Sequence, residues 1–379
     1  MPSASQPRDY SFVLCGVAGL LLAVPFTLFL TASAALSIGV EVLLIVCALS
    51  TLLLVPLTIK VFTGKETLVL YRDVICTFVT LTLALRFMHR PLLPYLDVTI
   101  AGAGLLLTCG RVGCFLAGCC YGRPCRLGIR YDLVHAAMGF PSPLVGVCLF
   151  PIQLLESFWS LCLSGFAGLL TLHSSHHGLA VATYITGYAL GRFSFEFARG
   201  DADRPYMAGF SHAQWVSLLL TSGVALASLN GILPRVDLLL VAPLFILITM
   251  FLVRLLRLHS CCFELLHPDH ILEIACMLRR LKGPFSLPRA LTFAQRTSPI
   301  EVMTTSLGLR ISLDHVHDRG REIHIYTLSR EHNLLSSRCV HLLGRLISRL
   351  QRHSATCEVR YGEHGVWHIL SCTEGRLSA

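Results

Sequence analysis

Charge is what this sequence has least of. Only 14% of its 379 residues are Asp, Glu, Lys or Arg, while 54% are hydrophobic. A chain so poor in charge cannot cover a soluble surface, and the balance points to a polytopic membrane protein. Acidic residues are the scarcer kind, 22 against 31 Lys and Arg, for a formal net charge of +9. In a soluble protein that excess would suggest nucleic acid. Beside apolar spans, basic loops against anionic lipid account for it, and no nucleic-acid partner is expected. Internal repeats and low-complexity tracts are missing as well. So is metal-ligand spacing. The central cysteines Cys114, Cys119, Cys120 and Cys125 run C-x4-CC-x4-C rather than the C-x2-C of zinc and iron–sulfur sites, so neither a metal nor a cofactor is expected. Packing is left for them, or a disulfide in an extracytoplasmic loop. Cys15, Cys47, Cys76, Cys148 and Cys162 lie singly inside apolar runs, where cysteine is a small hydrophobe.

Apolar runs long enough for a bilayer recur along the first two thirds of the chain. They cover Phe12–Leu36, Ile38–Phe62, Val74–Phe87, Leu96–Phe115, Phe150–Leu172, Leu179–Phe197 and Ala213–Leu229, with Val236–Leu256 as an eighth. The first is too long for a cleaved signal and is expected to stay in the membrane. The stretch Ala117–Leu149, rich in Gly, Pro and Arg, is too polar to span and reads as a loop or arm at the membrane surface. Basic residues fall in alternate loops on both sides, so the positive-inside rule does not fix the orientation. After Arg257 charges become frequent and no run is long enough to span. His270–Leu281 and Leu335–Arg349 have helical periodicity. Leu307–Ser312 with Ile323–Leu328, and Cys357–Tyr361 with Val366–Leu370, alternate as hairpins. The expected fold is an all-α polytopic membrane protein of seven to eight helices, residues 1–257, followed by a small basic α+β domain, residues 258–379.

Few polar residues interrupt the spans, and those few stand out. Arg111 sits among the glycines of Gly110–Arg123; a guanidinium kept at membrane depth faces a cavity or an anion, or snorkels to the interface. Gln153 and Glu156 share a face of the helix that opens after Pro151; a buried glutamate there calls for an arginine from another span, and one near the headgroups is solvated. Arg192, Glu196 and Arg199 fall at i, i+4 and i+7, two cations bracketing one anion on a helix face. That triad suits an anion site, and it also suits a self-neutralised structural cluster.

With these residues in place, the chain resembles the prolipoprotein diacylglyceryl transferase family. The resemblance rests on Asp97 and on Gly110-Arg-Val-Gly-Cys-Phe-Leu-Ala-Gly-Cys-Cys-Tyr-Gly-Arg123. It continues through Pro151-Ile-Gln-Leu-Leu-Glu156, Gly187–Asp201 and Ser211-His-Ala-Gln-Trp215, in that order. It covers about Thr67 to Leu220. It implies a multi-pass enzyme of the bacterial inner membrane whose spans surround a lipid-accessible cavity. Such an enzyme moves the diacylglyceryl group of phosphatidylglycerol onto the lipobox cysteine thiol of a prolipoprotein signal peptide, in lipoprotein biosynthesis. The resemblance makes Arg111, Arg192 and Glu196 candidate catalytic residues. It makes Asp97, Gly113, Cys114, Gly118, Cys119, Tyr121, Gly122, Gln153, Glu156 and Arg199 candidate substrate-binding positions.

Two departures bear on the reaction. The family's His-Gly-Gly segment is replaced by Leu70-Tyr-Arg-Asp73, which puts Tyr71 at the histidine's place among the candidate catalytic residues. The asparagine and acid of the central motif are replaced by Cys114 and Cys119. A tyrosine with its ordinary pKa of about 10 is a poor base at neutral pH. A non-catalytic or regulatory phospholipid-binding relative, or a transferase with a different acceptor, is therefore the alternative reading.

Overall fold

The computed structural model describes residues 8–64, 70–202, 204–258, 262–282, 301–318, 321–331, 335–351, 357–362 and 365–373. Along the chain the helices are α1 (Arg8–Ser33), α2 (Ile38–Thr63), α3 (Leu70–Phe87), α4 (Leu92–Ala117), α5 (Leu133–Ala137) and α6 (Ile152–His173). They continue with α7 (Leu179–Phe195), α8 (His212–Leu229), α9 (Asp237–Leu258), α10 (Cys262–Leu265), α11 (Pro268–Lys282) and α12 (Ser337–Leu350). The chain divides into two compact units. One is Met1–Ala117 with Ile152–Ala198 and Arg204–Leu252; the other is Gly118–Pro151 with Arg199–Asp203 and Val253–Ala379.

The first unit is the helical bundle. Each run expected to span is a helix. Among the described residues, six helices (α1, α2, α4, α6, α8 and α9) are long and apolar enough to cross a membrane. The other two expected runs are helices as well. Helix α3 begins at Leu70 and so takes in Arg72 and Asp73 besides Arg86, while α7 has only 17 residues. Outward-facing side chains are large and apolar, as with Leu53, Phe158 and Leu169, which suits lipid rather than water.

Small residues set the packing of α4. A Cβ on Gly102 would lie 1.9 Å from Thr27 Oγ1 of α1, and one on Gly104 would lie 2.7 Å from the Tyr184 ring of α7. Helix α6 presents Ser157 and Ser160, which donate to the carbonyls of Thr108 and Gly104 at 3.0 Å each; Ser164 donates to Ala101 O. Small residues and hydroxyls of this kind bring membrane helices close where lipid offers no hydrophobic drive. Helix α4 thereby becomes the post against which α1, α6 and α7 are registered.

The second unit is α+β. Its strands are β1 (Pro124–Arg130) and β2 (Cys148–Leu149), then, after β3 (Tyr206–Met207) and β4 (Phe210–Ser211) of the first unit, β5 (Val302–Thr304), β6 (Leu309–Asp318), β7 (Arg321–Arg330), β8 (Cys357–Tyr361) and β9 (Trp367–Thr373). The last five form an antiparallel sheet in the order β5-β6-β7-β9-β8. Both hairpins expected from alternation are present. The β6–β7 turn at residues 319–320 lies outside the described residues. Helix α12 lays Val340, Leu343 and Ile347 on the sheet face formed by Ile311, Tyr326, Leu328 and Ile369.

This unit also takes in Gly118–Pro151 and Arg199–Asp203. Tyr121, Tyr131, Phe140, Val147 and Leu149 of the stretch read as an arm are buried in the same core as the C-terminal sheet and helices. Their apolar content is too small and too interrupted to register as a span, yet it suffices for one side of a soluble core.

Candidate functional site

The polar residues singled out in the spans converge at one end of the bundle. Helix α4 runs toward the arm and carries Arg111 six residues before its end. Helix α6 leaves the arm and carries Glu156 near its start, and α7 returns to the same end with Arg192 in its last turn. There Arg111 Nε lies 2.8 Å from Glu156 Oε2, and Arg192 Nη1 donates to Glu156 Oε1 at 2.6 Å. Arg192 Nη2 is 2.6 Å from Glu196 Oε1, whose other oxygen accepts from Arg204 Nη1 at 2.5 Å. The glutamate of one helix thus meets arginines from two others, as its burial requires.

Three guanidiniums alternate with two carboxylates, so these five residues carry a positive excess. Arg111, Glu156, Arg192 and Glu196 are at most 8% exposed. At the C-terminal end of α7, Arg192 also faces the negative end of the helix dipole. A guanidinium stays charged in such surroundings and can grip a phosphate through two donors. The arrangement is therefore chemically suited to an anion with a planar or tetrahedral array of oxygens. Gln153 is fully buried one turn before Glu156.

Arg204 was not legible in the sequence. It stands in the polar run Asp201-Ala-Asp-Arg204, past the end of α7. In the structure it reaches back to Glu196 and lies 5.6 Å over the Tyr206 ring.

Arg199 does not continue the helix face expected from its i+7 spacing. Helix α7 stops at Phe195 with Glu196 as its C-cap. Arg199 instead pairs with Asp201 through both Nε (2.8 Å) and Nη2 (2.7 Å), and it bridges to Gly122. The reason is backbone proximity. Gly200 N donates to Tyr121 O at 2.9 Å, and a Cβ on Gly200 would stand 2.4 Å from Gly122 O. Arg123 ties the same segment down, donating from Nε to Arg199 O at 3.3 Å and from Nη1 to Leu266 O at 3.2 Å.

The remaining candidates have local duties. Asp97 lies at the far end of α4 from Arg111, about 21 Å along the helix axis for fourteen residues. Its carboxylate accepts from Gly178 N (2.6 Å) and Val181 N (2.8 Å), supplying the acceptors that the glycine N-cap of α7 lacks. Gly113 admits α1, since a Cβ there would be 3.2 Å from both Cys15 Cβ and Phe12 Cδ2. Gly118 takes φ +71° where α4 ends, and Tyr121 packs edge-on against Phe140 at 5.3 Å. Cys114, Cys119 and Cys120 are partly exposed thiols. Ser211 and Gln214 of the Ser211–Trp215 motif form a capping box that starts α8. Tyr71 falls in the first turn of α3, and its side chain lies outside the described residues.

Comparison with known proteins finds relatives of the segment that carries these residues. Residues 58–229 match the family model described as prolipoprotein diacylglyceryl transferase. The phosphatidylglycerol–prolipoprotein diacylglyceryl transferase of Clostridium tetani is 31% identical over 150 residues, covering 40% of this chain and 58% of the relative. One from Dehalococcoides mccartyi is 32% identical over 160 residues, 42% of this chain and 59% of the relative. A second such enzyme of Streptomyces coelicolor is 30% identical over 143 residues, 36% of this chain and 43% of the relative. The chain thus spans about half the length of the curated relatives it matches. No solved structure matches it. The matched segment contains Arg111, Glu156, Arg192, Glu196 and Arg204, and over residues 58–229 the chain is similar to the prolipoprotein diacylglyceryl transferase family.

Proposed function

We propose that this protein transfers the diacylglyceryl group of phosphatidylglycerol to the lipobox cysteine thiol of a prolipoprotein signal peptide, at the bacterial inner membrane. The observation that carries the reading is the buried Arg111–Glu156–Arg192–Glu196–Arg204 chain with its positive excess. In the reaction the acceptor sulfur forms a bond to the glycerol carbon that bears the phosphate ester. The carbon–oxygen bond breaks and glycerol phosphate leaves. The phosphate changes from a diester with one negative charge to a monoester that gains another. Guanidiniums already fixed around that position stabilise the gain without reorganising. Arg111 and Arg192 are the two aimed from separate helices, and Glu156 holds both in register. Glu196 and Arg204 hold the outer side of Arg192.

The acceptor thiol must lose a proton, and a cationic surrounding favours its thiolate. With tyrosine in place of the family histidine, Tyr71 is assigned either hydrogen-bond donation to the substrate or, where Arg72 favours its phenolate, the part of the base. The alternative, phospholipid binding without this transfer or with another acceptor, draws on the same stretch. Where the family has glycines, Arg72 is paired with Asp73 at 2.9 Å. The test is transfer of labelled diacylglyceryl from phosphatidylglycerol to a lipobox peptide by purified protein, with Arg192→Ala beside it. Labelled thioether and released glycerol phosphate from the wild type alone support the proposal. Folded protein that binds the lipid without transferring it supports the alternative.

A further inference from the structure

We propose that Cys125 and Cys148 form a redox-responsive dithiol that closes to a disulfide across the β1–β2 ribbon. Nothing in the transfer chemistry uses either thiol. The sequence shows Cys148 as a lone cysteine in an apolar run and Cys125 as the last of the central group. The fold brings them together.

The ribbon is antiparallel, with Pro124 opposite Leu149 and Arg130 opposite Cys148, so Cys125 and Cys148 are each one residue from the Pro124–Leu149 pair. Leu149 is also opposite Ile129, which leaves residues 125–128 as a bulge over the end of β2. Both thiols turn into that bulge. Cys125 Sγ donates to Leu127 O at 3.0 Å, and Cys148 Sγ to Arg126 O at 3.6 Å, the carbonyls of two consecutive residues. The Cys148 thiol lies near enough to Cys125 to act on it electrostatically. Gly128 closes the bulge, since a Cβ there would lie 2.1 Å from Leu149 O and 2.8 Å from Cys125 Sγ. The site is braced from α12, whose Arg349 donates to Pro124 O at 3.0 Å.

The groups are placed for exchange with a small disulfide. Both thiols are partly exposed, so an oxidant reaches them. Burial, and then the neighbouring thiol, push Cys125 up to about 11, so it keeps its proton at neutral pH. With oxidised glutathione as oxidant, Cys148 sulfur forms a mixed disulfide and one glutathione leaves. Cys125 sulfur then attacks the protein-side sulfur and the second glutathione leaves. Two thiols lose two electrons to one disulfide, and their protons end on the two glutathione thiols. Arg349 lies near enough to favour the Cys125 thiolate as that second step proceeds.

The test counts thiols on the whole protein. Purified protein is equilibrated with reduced or oxidised glutathione, denatured, alkylated and weighed by intact mass. The proposal predicts that oxidised wild type takes up two fewer alkyl groups than reduced wild type, and that dithiothreitol restores them. The deficit disappears in Cys125→Ala and in Cys148→Ala alike, and it persists in Cys276→Ala. Equal uptake by oxidised and reduced wild type overturns the proposal, as does a two-group deficit that survives both ribbon variants.

Discussion

Arg192 of α7 donates to Glu156 of α6 at 2.6 Å, and the carboxylate's other oxygen is 2.8 Å from Arg111 of α4. One glutamate therefore couples three helices. Removing one partner of a buried ion pair costs about 3–5 kcal/mol, because the remaining charge is stranded. Glu156→Gln is predicted to lower the unfolding midpoint in detergent accordingly. Adding Arg111→Met should return part of the loss, with a coupling of about 1–3 kcal/mol in the double-mutant cycle. Additive losses would mean the two groups do not interact.

Asp97 predicts the opposite pattern. As the acceptor for the first amides of α7, it contributes what a cap does, about 1–2 kcal/mol. Asp97→Ala should reduce stability by that amount while the transfer rate per folded molecule stays near wild type. A variant that is stable but inactive would place Asp97 in the chemistry.

The contrast between these two carboxylates shows what the sequence discloses. Both are lone acids in apolar helices, and hydropathy gives them the same reading. The cost of burying a carboxylate in low dielectric suggested an arginine partner for Glu156, since such a group has few options. Nothing in spacing said that Asp97 would cap α7, because the capped amides are 81 and 84 residues away. Helices, hairpins and the need of a buried Glu156 for an arginine from another span were legible from periodicity and from the cost of buried charge, but not which arginines. Arg204, the departure of Arg199 from the helix face and the merging of the arm with the C-terminal sheet were not. Each depends on chain reversals set by tertiary packing.

Gly200 should tolerate no side chain. Because its Cβ would meet Gly122 O at 2.4 Å, Gly200→Ala must push the Gly122–Arg199 bridge apart. Overpacking of this kind costs about 1–3 kcal/mol. Increased hydrogen exchange confined to residues 119–123 and 198–202 is the expected signature; unchanged exchange would contradict it.

His270 makes the second unit sensitive to acid. Its Nδ1 bonds Leu265 O at 2.8 Å and its Nε2 meets Thr305 Oγ1 at 2.9 Å. Burial holds its pKa below the ordinary value of 6.5. The unfolded chain then binds a proton that the folded one refuses, so stability falls as pH drops through about 6.5. Exchange protection of α11 is predicted to weaken between pH 7.5 and 5.5 in the wild type and to lose that dependence in His270→Gln. Equal pH dependence in both proteins would rule the histidine out.

The central claim is that the buried guanidiniums stabilise the departing phosphate, and Arg192→Lys tests it most directly. Lysine keeps the charge and loses the second donor direction. The measurement is the single-turnover rate of diacylglyceryl transfer at saturating phosphatidylglycerol, with folding checked by the unfolding midpoint. The account predicts a fall of about 100-fold or more, the scale of one lost transition-state donor. A folded Arg192→Lys protein that transfers at about the wild-type rate would contradict it.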